Sequence, residues 1–173
     1  MTNDLLERLS FLLLGEDDGD CGYAGVFSAD KIPPELAGRS RFAILVNLDP
    51  WEEGEKRDAL RRQRRQAKRR RRPHDEAHFV CIFAVADQVT FLDSYGMKPK
   101  QRHVCQFLRD CNRPTAFNSN QVQDFGSSFC GLYALLFLLR LAKRPASSIR
   151  FHREKSNLEK NDNLCLNYLL QLL

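Results

Sequence analysis

The stretch DFGSSFCGLYALLF, residues 124–137, places a cysteine where a long apolar run begins. The run predicts a helix from about 130 to 142, and the KRP that follows marks its stop. Its leucines recur on one stripe: Leu132, Leu135, Leu136 and Leu139. A helix of this kind is a core helix, and it positions the thiol of Cys130.

Cys130 lies at the predicted first turn of that helix. Unpaired backbone N–H groups and the positive end of the helix dipole face a residue at this position. Both stabilise a thiolate relative to a thiol. A cysteine taken alone is more often a buried core residue, so the chemical interpretation depends on partner groups elsewhere in the chain.

The chain as a whole predicts a single α+β domain. Its 173 residues are enough for one domain with a proper core. Predicted helices span 1–14, 99–111, 130–142 and 157–173, and strands are predicted at 41–48 and 115–123, with a β-hairpin over 78–96. Residues 15–25 predict a polar loop, and 25–36 a loop with a short helix at 29–36. Helices and strands mix without regular βαβ alternation, which favours α+β.

The N-terminal segment and the cysteines predict a soluble protein in a reducing compartment. Asp4 and Glu7 stand where a signal peptide would be basic, and the apolar stretch there is too short to span a bilayer. The six cysteines show no CxxC pair and no zinc-site spacing, so no metal is predicted. Cys81 and Cys165 lie in apolar stretches and are expected in the core.

The predicted hairpin brings an imidazole and a carboxylate together. His78 opens its first strand, and a two-residue turn at 86–87 places Asp93 opposite Val80. Asp93 then shares a face with His78, within side-chain reach. A histidine oriented by a third polar group is what a thiolate nucleophile needs.

A side-chain amide upstream of Cys130 is a candidate for stabilising an oxyanion together with the Cys130 backbone N–H. One such donor is typically worth about 10²–10³ in turnover. Gln121 and Gln123 both qualify, and strand alternation does not choose between them.

The order His78, Asp93, Gln123, Cys130 resembles the adenovirus endopeptidase (adenain) family and, more distantly, the SUMO-specific proteases that share its fold. HFVCIFAV, FLDSYG and QDFGSSFCGLYALLFL are similar to the segments of that family that carry its histidine, acid, glutamine and cysteine. RFAILVN and GVFSADKIP also resemble segments of adenain. The resemblance covers roughly residues 20 to 145, and the seven-residue distance to Cys130 matches Gln123 to the family's glutamine.

The resemblance implies a central mixed sheet packed by the helix that carries the nucleophilic cysteine. It implies a monomeric cysteine endopeptidase, with no cofactor needed for the chemistry, that cleaves viral precursor proteins after Gly-X-Gly or Gly-Gly sites in the host cell nucleus and virion. It also implies stimulation by DNA and by an activating peptide. That peptide would be linked through a disulfide to Cys111. Cys105 is a weaker candidate for the same role, and the alternative is that Cys111 is an incidental thiol with no partner peptide.

Several features depart from the family's pattern. The acid is Asp93, whereas many adenovirus enzymes carry Glu, and Phe79 stands where Trp is usual. The segment at about 52–75 resembles an insertion, and the tail is short. These departures suggest a divergent virus or a virus-like element as the source.

The basic character of the chain lies mostly in one run within that insertion. Without its nine charges, the net charge of +5 becomes −4. Because the resemblance implies stimulation by DNA, the run is interpreted first as a nucleic-acid contact, with a localisation signal or a solvated loop as alternatives. Its members are Arg61, Arg62, Arg64, Arg65, Lys68, Arg69, Arg70, Arg71 and Arg72.

Two rival functions remain open at this stage. A deSUMOylase or deubiquitinase-like protease would use the same four residues. A nucleic-acid-binding module on an inactive protease scaffold would keep the fold without the reaction.

Overall fold

A computed structural model describes residues 3–14, 22–48, 78–142 and 150–173. Five strands form one mixed sheet in the order β1-β2-β3-β4-β5, and its outer pairs β1·β2 and β4·β5 are parallel. The strands are β1 Tyr23–Ser28, β2 Arg41–Asn47, β3 Phe79–Val85, β4 Gln88–Leu92 and β5 Thr115–Phe117. The α-helices are α1 Asn3–Leu14, α2 Arg102–Asp110, α3 Cys130–Ala142 and α4 Glu159–Leu170, with 3₁₀ turns at Pro34–Gly38 and Lys155–Asn157.

The apolar sequences of β2 and β3 follow from burial on both faces of the sheet. Leu45 and Cys81 point into the core formed with α1, α3 and α4. Ile44 and Ile82 point into a second core with α2 and the 3₁₀ turn at Pro34–Gly38. Strands covered on both faces read as continuous apolar runs, without polar alternation.

Several sequence predictions are confirmed by the structure. The fold is α+β with a mixed sheet, α3 spans the predicted 130–142, and the hairpin turns at residues 86–87. Cys81 pairs with Leu92, so the next position in the register sets Asp93 opposite Val80, as predicted. Cys81 and Cys165 are both buried.

Other predictions of local structure are wrong. Residues 23–28, predicted as loop, form β1, whose bulge at Gly25 (φ +127) hides the strand pattern. The strand predicted at 115–123 ends at Phe117 because the Asn118 side chain bonds the backbone of Asp93. The short helix predicted at 29–36 is a 3₁₀ turn at Pro34–Gly38.

The predicted insertion at about 52–75 and all nine residues of its basic run lie outside the described residues. The residues that bracket the gap lie side by side, since the Leu48 N–H donates to the His78 carbonyl at 2.8 Å. Within the described ranges, none of the helices is long and apolar enough to cross a bilayer.

Candidate active site

His78 and Asp93 form a hydrogen-bonded pair at one end of the β3–β4 hairpin. The distance from His78 Nε2 to Asp93 Oδ1 is 2.9 Å, and the side chains are 17% and 4% exposed. A carboxylate only accepts hydrogen bonds, so Nε2 carries the hydrogen. The other ring nitrogen, Nδ1, is therefore the one that gains or loses a proton.

The carboxylate of Asp93 is held by backbone and side-chain contacts. The Tyr95 N–H donates to Asp93 Oδ1 at 2.8 Å. Asn118 brackets the Asp93 backbone, because its Oδ1 accepts from the Asp93 N–H at 2.8 Å and its Nδ2 donates to the Asp93 carbonyl at 2.6 Å. Asp93 therefore has little freedom to leave His78.

Tyr95 fixes the plane of the His78 ring. The two rings stack with centroids 4.5 Å apart and planes 18° from parallel. Phe125 packs on Tyr95, with centroids 5.0 Å apart. Burial raises the pKa of Tyr95 to about 12, and the negative charges of Cys130 and Asp93 add to this effect, so the phenol stays neutral at physiological pH.

Cys130 is the first residue of α3 and is 6% exposed. The thiol therefore lies at the positive end of the helix dipole, as predicted. His78 Nδ1 is buried and makes no hydrogen bond to any of the described residues. Cys130 and Asp93 are the two side chains that raise the pKa of the His78 ring.

The charge state of His78 reflects two opposed effects. Burial lowers the pKa of the ring, but the hydrogen bond to Asp93, the polar interaction with Cys130 and the negative charges of both groups outweigh burial. The pKa of His78 rises from 6.5 to about 9 as a result. A histidine with this pKa is protonated at neutral pH.

Gln123 is fully buried and contacts the loop that leads into α3. Its Nε2 donates to the Ser127 carbonyl at 2.9 Å and to Ser127 Oγ at 3.1 Å. Its Oε1 accepts from the Ser94 hydroxyl. The side-chain amide of Gln121 is used differently, because its Nε2 donates to the backbone carbonyl of Gln123 at 2.8 Å.

The structure thus brings His78, Asp93 and Cys130 together. It places the side-chain amide of Gln123 against Ser127, which lies three residues before Cys130. Cys111 lies in the core on the opposite face of the sheet, where burial raises the pKa of its thiol. Cys105 is half-buried, and its thiol donates to the Pro99 carbonyl at 3.4 Å. In the described part of the chain, no disulfide joins two cysteines, and no cluster of three or more His, Cys, Asp or Glu residues is suited to a metal.

Sequence reasoning missed three residues that build the site: Ser94, Tyr95 and Asn118. The signal available for Ser94 and Tyr95 is the segment DSYG, whose residue types are typical of a turn. That turn is present, with the Gly96 N–H donating to the Asp93 carbonyl at 2.8 Å. Asn118 carried no signal, because its contact with Asp93 spans 25 residues of sequence.

Comparisons with known proteins give little guidance. No protein-family model matches the sequence, and no curated protein matches it. Among solved structures, the chain is similar to ChlaDub1 from Chlamydia trachomatis, at 11% identity and a TM-score of 0.40. The match covers 78% of this chain and 62% of the ChlaDub1 chain, so this chain spans less than two thirds of that protein. The likeness is too remote to support an argument about function.

We predict that Gly96→Ala destabilises the protein while Gly38→Ala does not. Gly96 has φ +68, and a Cβ there would lie 2.7 Å from the Asn120 carbonyl carbon. The left-handed backbone alone should cost about 1–2 kcal/mol, and the clash should add to that cost. Gly38 has open space around it. Urea unfolding gives the free energy of unfolding of each variant. Equal values for Gly96→Ala and Gly38→Ala would contradict this description of the turn.

A second prediction concerns the titration of His78. Its ring should titrate near pH 9 in an NMR pH series, with the signal assigned through His78→Gln. In Asp93→Asn the pKa should fall, because burial still lowers it while a charge and a charged hydrogen-bond partner are lost. Since the folded-state pKa lies above 6.5, protonation of His78 stabilises the folded protein fully below pH 6.5. That contribution is lost as pH rises through about 9. An unchanged pKa in Asp93→Asn would contradict the assignment of the pair.

Proposed function

We propose that this protein is a cysteine endopeptidase in which Cys130 is the nucleophile, His78 the acid–base and Asp93 the residue that orients His78. The observation that carries the proposal is the placement of His78. One ring nitrogen is bound to Asp93 at 2.9 Å, while Cys130, at the start of a buried helix, raises the pKa of the same ring. A positioned base with an orienting carboxylate is the general requirement for an activated thiol.

In the proposed mechanism, His78 Nδ1 takes the proton of the Cys130 thiol, giving a thiolate–imidazolium pair. The thiolate attacks the carbonyl carbon of a peptide bond. His78 then gives its proton to the leaving amine as the C–N bond breaks. Water, activated by the now neutral His78, hydrolyses the thioester and regenerates the thiol.

The proposed oxyanion site consists of Gln123 Nε2 and the Cys130 backbone N–H. Both contacts of Nε2 are with Ser127, one to its carbonyl and one to its hydroxyl oxygen. An oxyanion that bound there would replace Ser127 Oγ as the acceptor of one hydrogen. The carbonyl contact would continue to hold the amide in place.

For substrate, we propose chains with Gly-Gly or Gly-X-Gly before the scissile bond, on the strength of the sequence resemblance. Viral precursor proteins and ubiquitin-like conjugates both offer such sites, and the same catalytic residues serve both. Stimulation by DNA through the run at 61–72, an activating peptide at Cys111, and action in the nucleus and virion belong to the same proposal.

The first experiment is labelling with iodoacetamide at pH 6 and low salt, with peptide mapping of the adducts. Cys130 should be labelled at least about 10-fold faster than the other cysteines, because an ion pair supplies thiolate where an ordinary thiol with a pKa near 8.5 does not. His78→Ala should remove that advantage while the protein stays folded. Cys165→Ala serves as the control, since that thiol is buried in the core and its pKa is raised to about 12 by burial and, to a lesser extent, by Asp162.

Repeating the labelling with and without DNA tests the regulatory part of the proposal separately. If Cys130 reacts no faster than the other cysteines under either condition, the ion pair is absent. That result would favour the alternative function, a nucleic-acid-binding module on an inactive protease scaffold. If labelling succeeds, Gly-X-Gly peptides and fusions to ubiquitin-like proteins, assayed side by side, distinguish the two substrate classes.

A further inference from the structure

Ser94 and Gln123 form a hydrogen-bonded pair inside the protein. Ser94 is 1% exposed and Gln123 is fully buried. The Ser94 hydroxyl donates to Gln123 Oε1. The backbone joins the same two residues, because the Ser94 carbonyl accepts from the N–H groups of Val122 at 2.9 Å and Gln123 at 3.1 Å.

The direction of the Gln123 amide follows from its partners. The Ser127 carbonyl can only accept a hydrogen bond, so the amide atom that faces it must be the nitrogen. The oxygen then faces Ser94, whose hydroxyl is the donor. With the amide turned over, two oxygens would face each other at Ser127, and the Ser94 hydroxyl would have to turn from donor to acceptor.

We propose that Ser94 is a positioning residue that keeps the nitrogen of Gln123 turned toward the loop before Cys130, where it stabilises the oxyanion. The inference rests on the proposed function and adds a residue to it. Ser94 follows Asp93 directly, so one turn positions both the carboxylate that orients His78 and the hydroxyl that orients Gln123.

Two reactions of the same thiol separate this role from a general structural one. Alkylation by iodoacetamide displaces iodide from carbon as the C–S bond forms, and no oxyanion develops. Addition of the thiol to a peptide aldehyde moves the carbonyl π-electron pair onto oxygen as the C–S bond forms, and the thiol proton ends on that oxygen. Only the second reaction depends on oxyanion donors.

The experiment measures how well a peptide aldehyde ending in Gly-glycinal protects Cys130 from iodoacetamide. In Ser94→Ala the aldehyde concentration for half-protection should rise about 10-fold, the effect of one neutral hydrogen bond, while the labelling rate without aldehyde stays within about 2-fold. In Gln123→Ala the aldehyde concentration for half-protection should rise at least as much. Ser94→Ala should add nothing in the Gln123→Ala background, because the two residues act as one unit.

Ser10→Ala is the matched control. Ser10 is also fully buried, and its hydroxyl donates to the Leu6 carbonyl at 2.6 Å within α1. This variant loses a buried serine hydrogen bond outside the site, so neither protection nor labelling should change. If Ser94→Ala does not fold, Ser94→Cys retains a weaker donor and should give a smaller rise in the same direction.

The proposal is overturned if the aldehyde protects Ser94→Ala as well as wild type, or if Ser94→Ala slows plain alkylation as much as it weakens protection. It is also overturned if Ser94→Ala and Gln123→Ala have additive effects. Failure of the proposed function gives a different result, since wild-type Cys130 would then show no rapid labelling before any aldehyde is added.

Discussion

The hydrogen bond between His78 Nε2 and Asp93 Oδ1 is the contact on which the site depends. It requires the β3–β4 register, which sets Asp93 opposite Val80, and it requires that the turn at residues 93–96 keep its shape. A shift of one residue in register would turn Asp93 to the other face of the sheet. The two-residue turn at 86–87 fixes this register, so the hairpin turn and the site geometry have the same origin.

The protonation of His78 depends on opposed effects of burial and of its two neighbours, Asp93 and Cys130. His78 is largely buried, which favours the neutral ring, but Asp93 and Cys130 favour the protonated one. The outcome is a histidine whose pKa is close to 9. The dipole of α3 acts on Cys130 from the other side. Burial makes each of these interactions stronger than it would be in water.

The sequence predicted those parts of the fold that depend on local pattern. The apolar run gave α3 and the position of Cys130, and the two strands with a short turn gave the pairing of His78 with Asp93. The second layer of the site could not be predicted in this way. Asn118 and Ser94 contact partners 25 and 29 residues away, and β1 is recognisable only once β2 is present beside it. Such contacts depend on tertiary packing, which leaves no periodic signal.

The central claim is that Cys130 is a nucleophile toward a carbonyl, and trapping an acyl-enzyme tests it most directly. The protein would be mixed with a peptide thioester ending in Gly-Gly, quenched with acid within seconds, and analysed by intact mass and peptide mapping. We predict a mass gain equal to the peptide acyl group on Cys130, removable by hydroxylamine and absent in Cys130→Ala. Acylation of another cysteine at an equal rate, or no acylation of Cys130 at any pH from 6 to 9, would contradict the account.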